Sequence, residues 1–150
     1  MIIGIDPDTE KSGIAIISLN RLSLYNFTLI DLFNFLNINY QSIKMVNIEA
    51  SWLSSHNWSG RSGSLPAMLK AANRTGANHQ IGKEIEKACI EYNIPYRLIR
   101  PLKKVWGVDK NGSAKKIDHK RFMAIRRVGQ LGFTETRTNQ EQRDAALLIL

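Results

Sequence analysis

The chain is poor in several things, and each shortage removes a class of function. A single cysteine, Cys89, can close no internal disulfide and offers no thiolate zinc site, so a reducing, cytoplasmic setting fits. Cys89 falls in a helical pattern and reads as a packing residue. His56, His79 and His119 are scattered without ligand spacing and read as surface or hydrogen-bonding residues. No apolar run approaches the roughly 20 residues that cross a bilayer. Asp6 and Asp8 interrupt the apolar start, so neither a membrane role nor a signal peptide is expected. Repeats are lacking, and so is a linker long enough to divide the chain; residues 1–150 are expected to form one domain. Acidic residues are also in short supply, 13 Asp plus Glu against 21 Lys plus Arg, for a formal net charge of +8.

What is present is a globular composition, 43% hydrophobic, on a strongly basic chain. A basic surface of this size favours a polyanion, and with the membrane set aside that means nucleic acid. Met1–Asp6 and Gly13–Leu19 read as strands joined by a Pro/Asp/Ser/Gly turn, with Arg21–Thr28 as a third. Leu29–Ile38 has helical spacing, and Lys44–Ile48 is a short strand ending at Glu49. Ser51–Ser64 reads as a loop carrying Trp52 and Trp58.

Leu65–Tyr92 reads as one long helix or two stacked ones, in which Gly76 and Gly82 imply close approach to the sheet. Ile94–Ile99 is a further strand and Pro101–Gly112 a basic loop. Ser113 is a candidate cap for a basic helix to about Val128. Thr138 or Asn139 caps a last helix, whose pattern is expected to continue past Leu150. The order β-β-β-α-β-α-β-α-α implies a five-stranded mixed α/β sheet with helices on both faces.

Acidic residues fall at the ends of these elements. Asp6 ends the first strand and Glu49 the fourth, and these strands commonly lie side by side in such a sheet. Glu141 and Asp144, three apart, share one face of the last helix, which could bring Asp144 against the other two. Each has a plain alternative. Asp6 could start a turn, Glu49 could be an exposed strand end, Glu141 could favour the helix dipole, and Asp144 beside Arg143 could be a solvated charge. Together they favour cations, because clustered carboxylates repel unless a positive charge lies between them. Mg²⁺ prefers such oxygens, and two ions ~4 Å apart suit in-line attack on a phosphodiester. Basic charge with clustered carboxylates points to a metal-dependent nuclease.

These residues resemble the RuvC family of Holliday junction resolvases, within the RNase H-like fold. Ile5-Asp6-Pro7 with Ser12-Gly13 resembles the family's opening hairpin, and Ile48-Glu49-Ala50-Ser51-Trp52 its strand end followed by a junction-contacting aromatic. Arg74-Thr75-Gly76 resembles the start of its long helix. Pro101 through Lys116, with Lys103, Lys104, Gly112-Ser113-Ala114 and Lys116, resembles its basic stretch, and Arg143-Asp144-Ala145-Ala146 its closing helix. The likeness spans nearly the whole chain in the family's order.

The resemblance implies a homodimer that cuts four-way DNA junctions with Mg²⁺, two ions per site, for which Mn²⁺ can substitute. Asp6, Glu49 and Asp144 match metal-binding positions. Glu141 falls where the family usually has aspartate, and Asp8 where it has glycine. Metal choice, sequence preference and any helicase partner stay open. An apolar face with Ala71, Ala72 and Gly76 could join the dimer surface or pack on the sheet.

For DNA contact the candidates are Arg74, Lys103, Lys104, Lys110, Lys115, Lys116, Lys120 and Arg121, against the alternative of a solvated basic face. Lys116 could also stabilise charge at the scissile phosphate. Trp52 and Trp58 are candidates to stack on unpaired bases; for Trp52, which follows the strand end at Glu49, stacking is preferred over the alternative of capping the core. Two rivals are a related nuclease acting on other branched DNA or on RNA–DNA hybrid, and a non-catalytic junction-binding module. A sugar-kinase or actin-like ATPase needs two such domains, and 150 residues are too few.

Overall fold

A computed structural model describes residues 1–54, 64–102, 106 and 115–150. The strands are β1 (Ile2–Asp6), β2 (Ser12–Ser18), β3 (Arg21–Phe27), β4 (Met45–Glu49) and β5 (Tyr96–Ile99), in the spatial order β3-β2-β1-β4-β5. The helices are α1 (Leu29–Asn39), α2 (Leu65–Glu91), α3 (His119–Met123), α4 (Arg126–Gln130) and α5 (Gln140–Leu147). Short 3₁₀ turns follow α1 and β4. β1 is antiparallel to β2 and parallel to β4, so the expected adjacency of the first and fourth strands holds.

Strand alternation sorts the side chains to two faces. Ile3, Ile5, Ile14, Ile16, Val46 and Ile48 point toward α1 and α2 and form one core with Leu32, Leu36, Ile85 and Cys89. Ala15, Leu22 and Leu24 join Phe122, Val128, Ala145 and Ala146 in a second core beneath α3, α4 and α5. Helices therefore cover both faces, as the element order implies. Asp6 has the parity of Ile2, which packs on the second core. Glu49 has the parity of Asn47, whose Nδ2 donates to the Leu148 carbonyl at 2.7 Å. Both carboxylates thus belong to the face covered by α5.

The approach of α5 to the sheet requires glycine. A Cβ on Gly4 would overlap the Ala145 carbonyl, and one on Gly13 would overlap the Glu141 carbonyl. α5 is capped by Asn139, whose side chain accepts from the Gln142 N–H at 2.9 Å while Gln142 Oε1 accepts in return. Thr138, the other candidate cap, instead binds Arg143.

Several expected elements differ. The basic helix to Val128 is two short helices, with extended backbone at Ile125 between them. Phe122 and Val128 are both fully buried in one core; on a continuous helix, six steps of about 100° would set them about 120° apart around the axis. Asp118 caps α3, accepting from the Arg121 N–H at 2.8 Å; Ser113 lies outside the described residues. β5 starts at Tyr96, because Asn93 takes a left-handed φ of 54° and Ile94 closes the end of α2 through the Cys89 carbonyl. Only the C-terminal half of α2 is buried; Leu65, Met68 and Leu69 are exposed. Gly76 approaches nothing, and Gly82 makes room for the Trp52 indole and Pro7 rather than for the sheet. No described helix is long and apolar enough to cross a membrane.

Candidate active site

The C-terminal ends of β1 and β4 lie side by side, one step beyond the Ile5–Ile48 pair. Each ends in a carboxylate, Asp6 and Glu49. From the face above, α5 adds Asp144 and Glu141. A cavity of about 300 Å³ is lined by Asp6, Asp8, Glu49, Glu141 and Asp144, with Lys116 and, from α2, Thr75 and Asn78. The sequence-selected carboxylates thus line one cavity, with Lys116 beside them.

Asp144 is almost fully buried, at 1% exposure. Burying a charge is costly unless it is paired and hydrogen-bonded. Gln140 Nε2 donates to its Oδ1 at 2.7 Å, and Lys116 Nζ lies 3.4 Å from its Oδ2. The Lys116 side chain is more than half exposed, so its ammonium reaches the carboxylate from the solvent side. Glu49 is buried as well, while Asp6 and Glu141 are partly exposed.

Arg143 is a residue that sequence reasoning missed, having read this stretch of α5 as a possible solvated surface. It is 9% exposed. Its Nε donates to the Ile117 carbonyl at 2.9 Å, its NH1 to the Thr138 carbonyl and hydroxyl, and its NH2 to Gln140 Oε1 at 3.2 Å. Ile117 is buried at 1% exposure, so Lys116 stands on an anchored segment. An Arg next to an Asp, followed directly by Ala-Ala-Leu-Leu, was the available signal.

The donor chemistry fits Mg²⁺, which takes hard carboxylate oxygens and keeps several of its waters. Among the described residues, no group of three or more His, Cys, Asp or Glu side chains is set as it stands to hold a metal ion. The carboxylates line an open cavity, with room for a hydrated cation, rather than forming a closed cage.

Of the DNA-contact candidates, Lys116 lines this cavity. Arg74 lines a second cleft of about 570 Å³, together with Lys11, Asp8 and Glu141. Lys115, Lys120 and Arg121 are exposed, and Arg121 NH1 donates to the Trp106 carbonyl. Trp52 is half-buried against the main core, edge-on to His79 at 6.2 Å between ring centroids. This seats the ring on α2, the core-capping alternative weighed for it. Trp58, Lys103, Lys104 and Lys110 lie outside the described residues.

The fold and this cavity define an α/β domain of the RNase H-like class, with carboxylates gathered at the ends of its central parallel strands. It has the fold of the RuvC Holliday junction resolvases, the fold that the motif resemblance implies. The structure titled "T. thermophilus RuvC in complex with Holliday junction substrate" superposes with a TM-score of 0.54, covering 98% of this chain and 88% of that one at 16% identity. A second structure, "Thermus thermophilus RuvC structure", gives a TM-score of 0.47 at 17% identity, covering 98% and 89%. No protein-family model matches the sequence, and no curated protein does.

Proposed function

We propose that this chain is a metal-dependent, structure-specific endodeoxyribonuclease that resolves four-way DNA junctions by paired symmetric nicks. The products carry 5′-phosphate and 3′-hydroxyl ends. The observation that carries the reading is the cavity itself: Asp6, Glu49, Glu141 and Asp144 converge with Lys116 on a RuvC fold, in a chain of net charge +8.

Asp6, Glu49 and Asp144 would hold the divalent cations, Mg²⁺ or Mn²⁺, with Glu141 at the rim reaching in directly or through water. When bound there, such ions polarise the scissile phosphodiester and lower the pKa of the attacking water. Lys116, on its anchored segment, holds its ammonium where a phosphate oxygen gains charge. Arg74, Lys115, Lys120 and Arg121 neutralise phosphates on either side, an affinity that weakens with salt. A two-fold dimer would set two such cavities on opposed strands of the junction, giving paired cuts. The buried Cys89 suits a reducing, cytoplasmic setting.

The deciding experiment offers a synthetic mobile four-way junction with Mg²⁺, alongside linear duplex, a three-way fork and an RNA–DNA hybrid, with D6N as control. Paired nicks in the junction alone, lost in D6N, are expected. Cutting of every branched substrate would reassign the chain to a broader branch nuclease, and cutting of the hybrid to a ribonuclease. Tight junction binding without cutting in Mg²⁺ or Mn²⁺ would leave a binding module.

A further inference from the structure

The carboxylates of the cavity come from β1, the turn after it, β4 and α5, yet α2, which supplies none, also lines it. Asn78 is the point of contact. Its Oδ1 accepts from the Thr9 N–H at 3.2 Å, and its Nδ2 donates to Asp8 Oδ2 at 3.4 Å. The other Asp8 oxygen accepts from the Glu10 N–H at 2.9 Å, and the Asp8 N–H donates to Ser12 Oγ at 3.2 Å. The turn after Asp6 is therefore ordered within itself by Asp8 and tied to α2 through one amide side chain. One helical turn further along the same face lies Gly82. There the Trp52 indole takes the space that a Cβ would fill, and the Pro7 ring lies at ordinary contact distance beside it. Pro7 follows Asp6 directly, and Trp52 comes three residues after Glu49. The segments leaving both carboxylate-bearing strands thus dock on neighbouring positions of one helix face.

We infer that Asn78 is a positioning residue, which with Asp8 clips the β1–β2 turn to α2 and so fixes the stance of Asp6 toward Glu49. The role of Asp8 follows from the same bonds. Each of its two oxygens accepts a hydrogen bond within the clip, which assigns Asp8 to ordering the turn. The inference rests on the nuclease reading for its consequence at the metal site, but the clip itself does not depend on that reading.

The test uses N78A, N78D and the double variant D8N/N78D on the full chain, with two readouts. The first is amide hydrogen exchange at Thr9. The second is titration with Mg²⁺ alone by calorimetry. N78A removes both bonds with no change of charge, so the Thr9 amide is expected to exchange faster. Its Mg²⁺ affinity is expected to fall about tenfold, the lower end for loss of a group that orients metal ligands. N78D sets two carboxylates against each other and opens the clip. D8N/N78D exchanges the amide and the carboxylate, keeps the total charge, and restores every bond of the clip. It is expected to recover Thr9 protection and to bring Mg²⁺ affinity within about twofold of wild type, a rescue that a merely structural role would not predict.

Unchanged Thr9 exchange in N78A overturns the clip. Lost protection with unmoved Mg²⁺ affinity overturns its role at the metal site, and so does a double variant that restores protection but not affinity. A wild-type chain that takes up no Mg²⁺ overturns the nuclease reading instead, and Thr9 exchange then decides the clip alone.

Discussion

The Arg143 guanidinium reaches from α5 to the Ile117 carbonyl, with Nε 2.9 Å from that oxygen. With the Lys116–Asp144 ion pair, it joins the helix bearing Asp144 to the segment bearing Lys116. Its other donors reach Thr138 and Gln140. R143A would leave several acceptors short of a donor in a site that is nine-tenths buried. The expected cost is about 2–3 kcal/mol, the scale of hydrogen bonds to a charged group. R143K keeps the charge but not the planar fork and should recover only part of it. Urea denaturation measures both, and an R143A midpoint equal to wild type would show that the anchor carries no weight.

Two glycines should respond to alanine in opposite directions. At Gly13, paired with Asp6 across the hairpin, a Cβ would overlap the Glu141 carbonyl of α5. Backbone cannot yield as a flexible side chain does, so G13A should cost about 1–3 kcal/mol. At Gly76, exposed in the interior of α2, a Cβ would meet nothing. G76A should therefore stabilise the chain, by about 0.5–1 kcal/mol of helix propensity. Thermal unfolding of the two variants side by side gives the comparison; a G13A variant as stable as wild type would contradict the packing of α5 on the sheet, and a destabilised G76A the open position of Gly76.

How far the sequence reached follows from which signals are local. The hairpin, the β1–β4 adjacency and the two covered faces could be read because strand alternation and element order constrain them directly. Asp6, Glu49 and Asp144 were legible for the same reason, each sitting at an element end or on a helix face. Arg143 and Asn78 were not, because their partners, Ile117 and Asp8, are set by packing between distant segments. The break at Ile125 was hidden because its residues, taken singly, suit a helix; the burial of both Phe122 and Val128 overrides that preference. Gly82 carried a real signal of close approach, but nothing in the sequence named the Trp52 ring as what approaches.

Cys89 should be chemically silent in the folded chain. Burial in the main core, and secondarily the nearby Glu86 charge, push its thiol up to about 12. The thiolate is the reactive form, so iodoacetamide at pH 8.5 should leave the native protein unmodified and label it fully in denaturant. Rapid labelling of the native protein would mean that α2 opens away from the sheet.

His79 should make stability fall in mild acid. Its pKa is lowered by burial and then by the Lys83 charge, with the ring set against Trp52. The folded state therefore binds its proton less readily than the unfolded state. Stability is fully present above the unfolded value near 6.5, and is lost as pH falls through the depressed folded value. H79Q should flatten the thermal midpoint between pH 7 and pH 5 relative to wild type, and an unchanged slope would assign the acid sensitivity elsewhere.

Lys116 should separate binding from chemistry. Its ammonium lies 3.4 Å from a buried carboxylate, yet more than half of its side chain is open to solvent. A phosphate oxygen entering the cavity can therefore share the same cation with Asp144. If Lys116 meets charge that grows only as the phosphodiester is cut, K116Q should lower kcat by about 10²-fold or more while leaving KM for the junction nearly unchanged. K115Q and K120Q, exposed cations outside the cavity lining, should do the reverse. They should raise KM, leave kcat intact, and make the salt dependence of binding shallower by about one phosphate contact each. Single-turnover cleavage of the four-way junction across a salt series gives both constants. A K116Q variant that changes only KM and the salt slope would place Lys116 among the phosphate-binding cations and remove it from the chemistry.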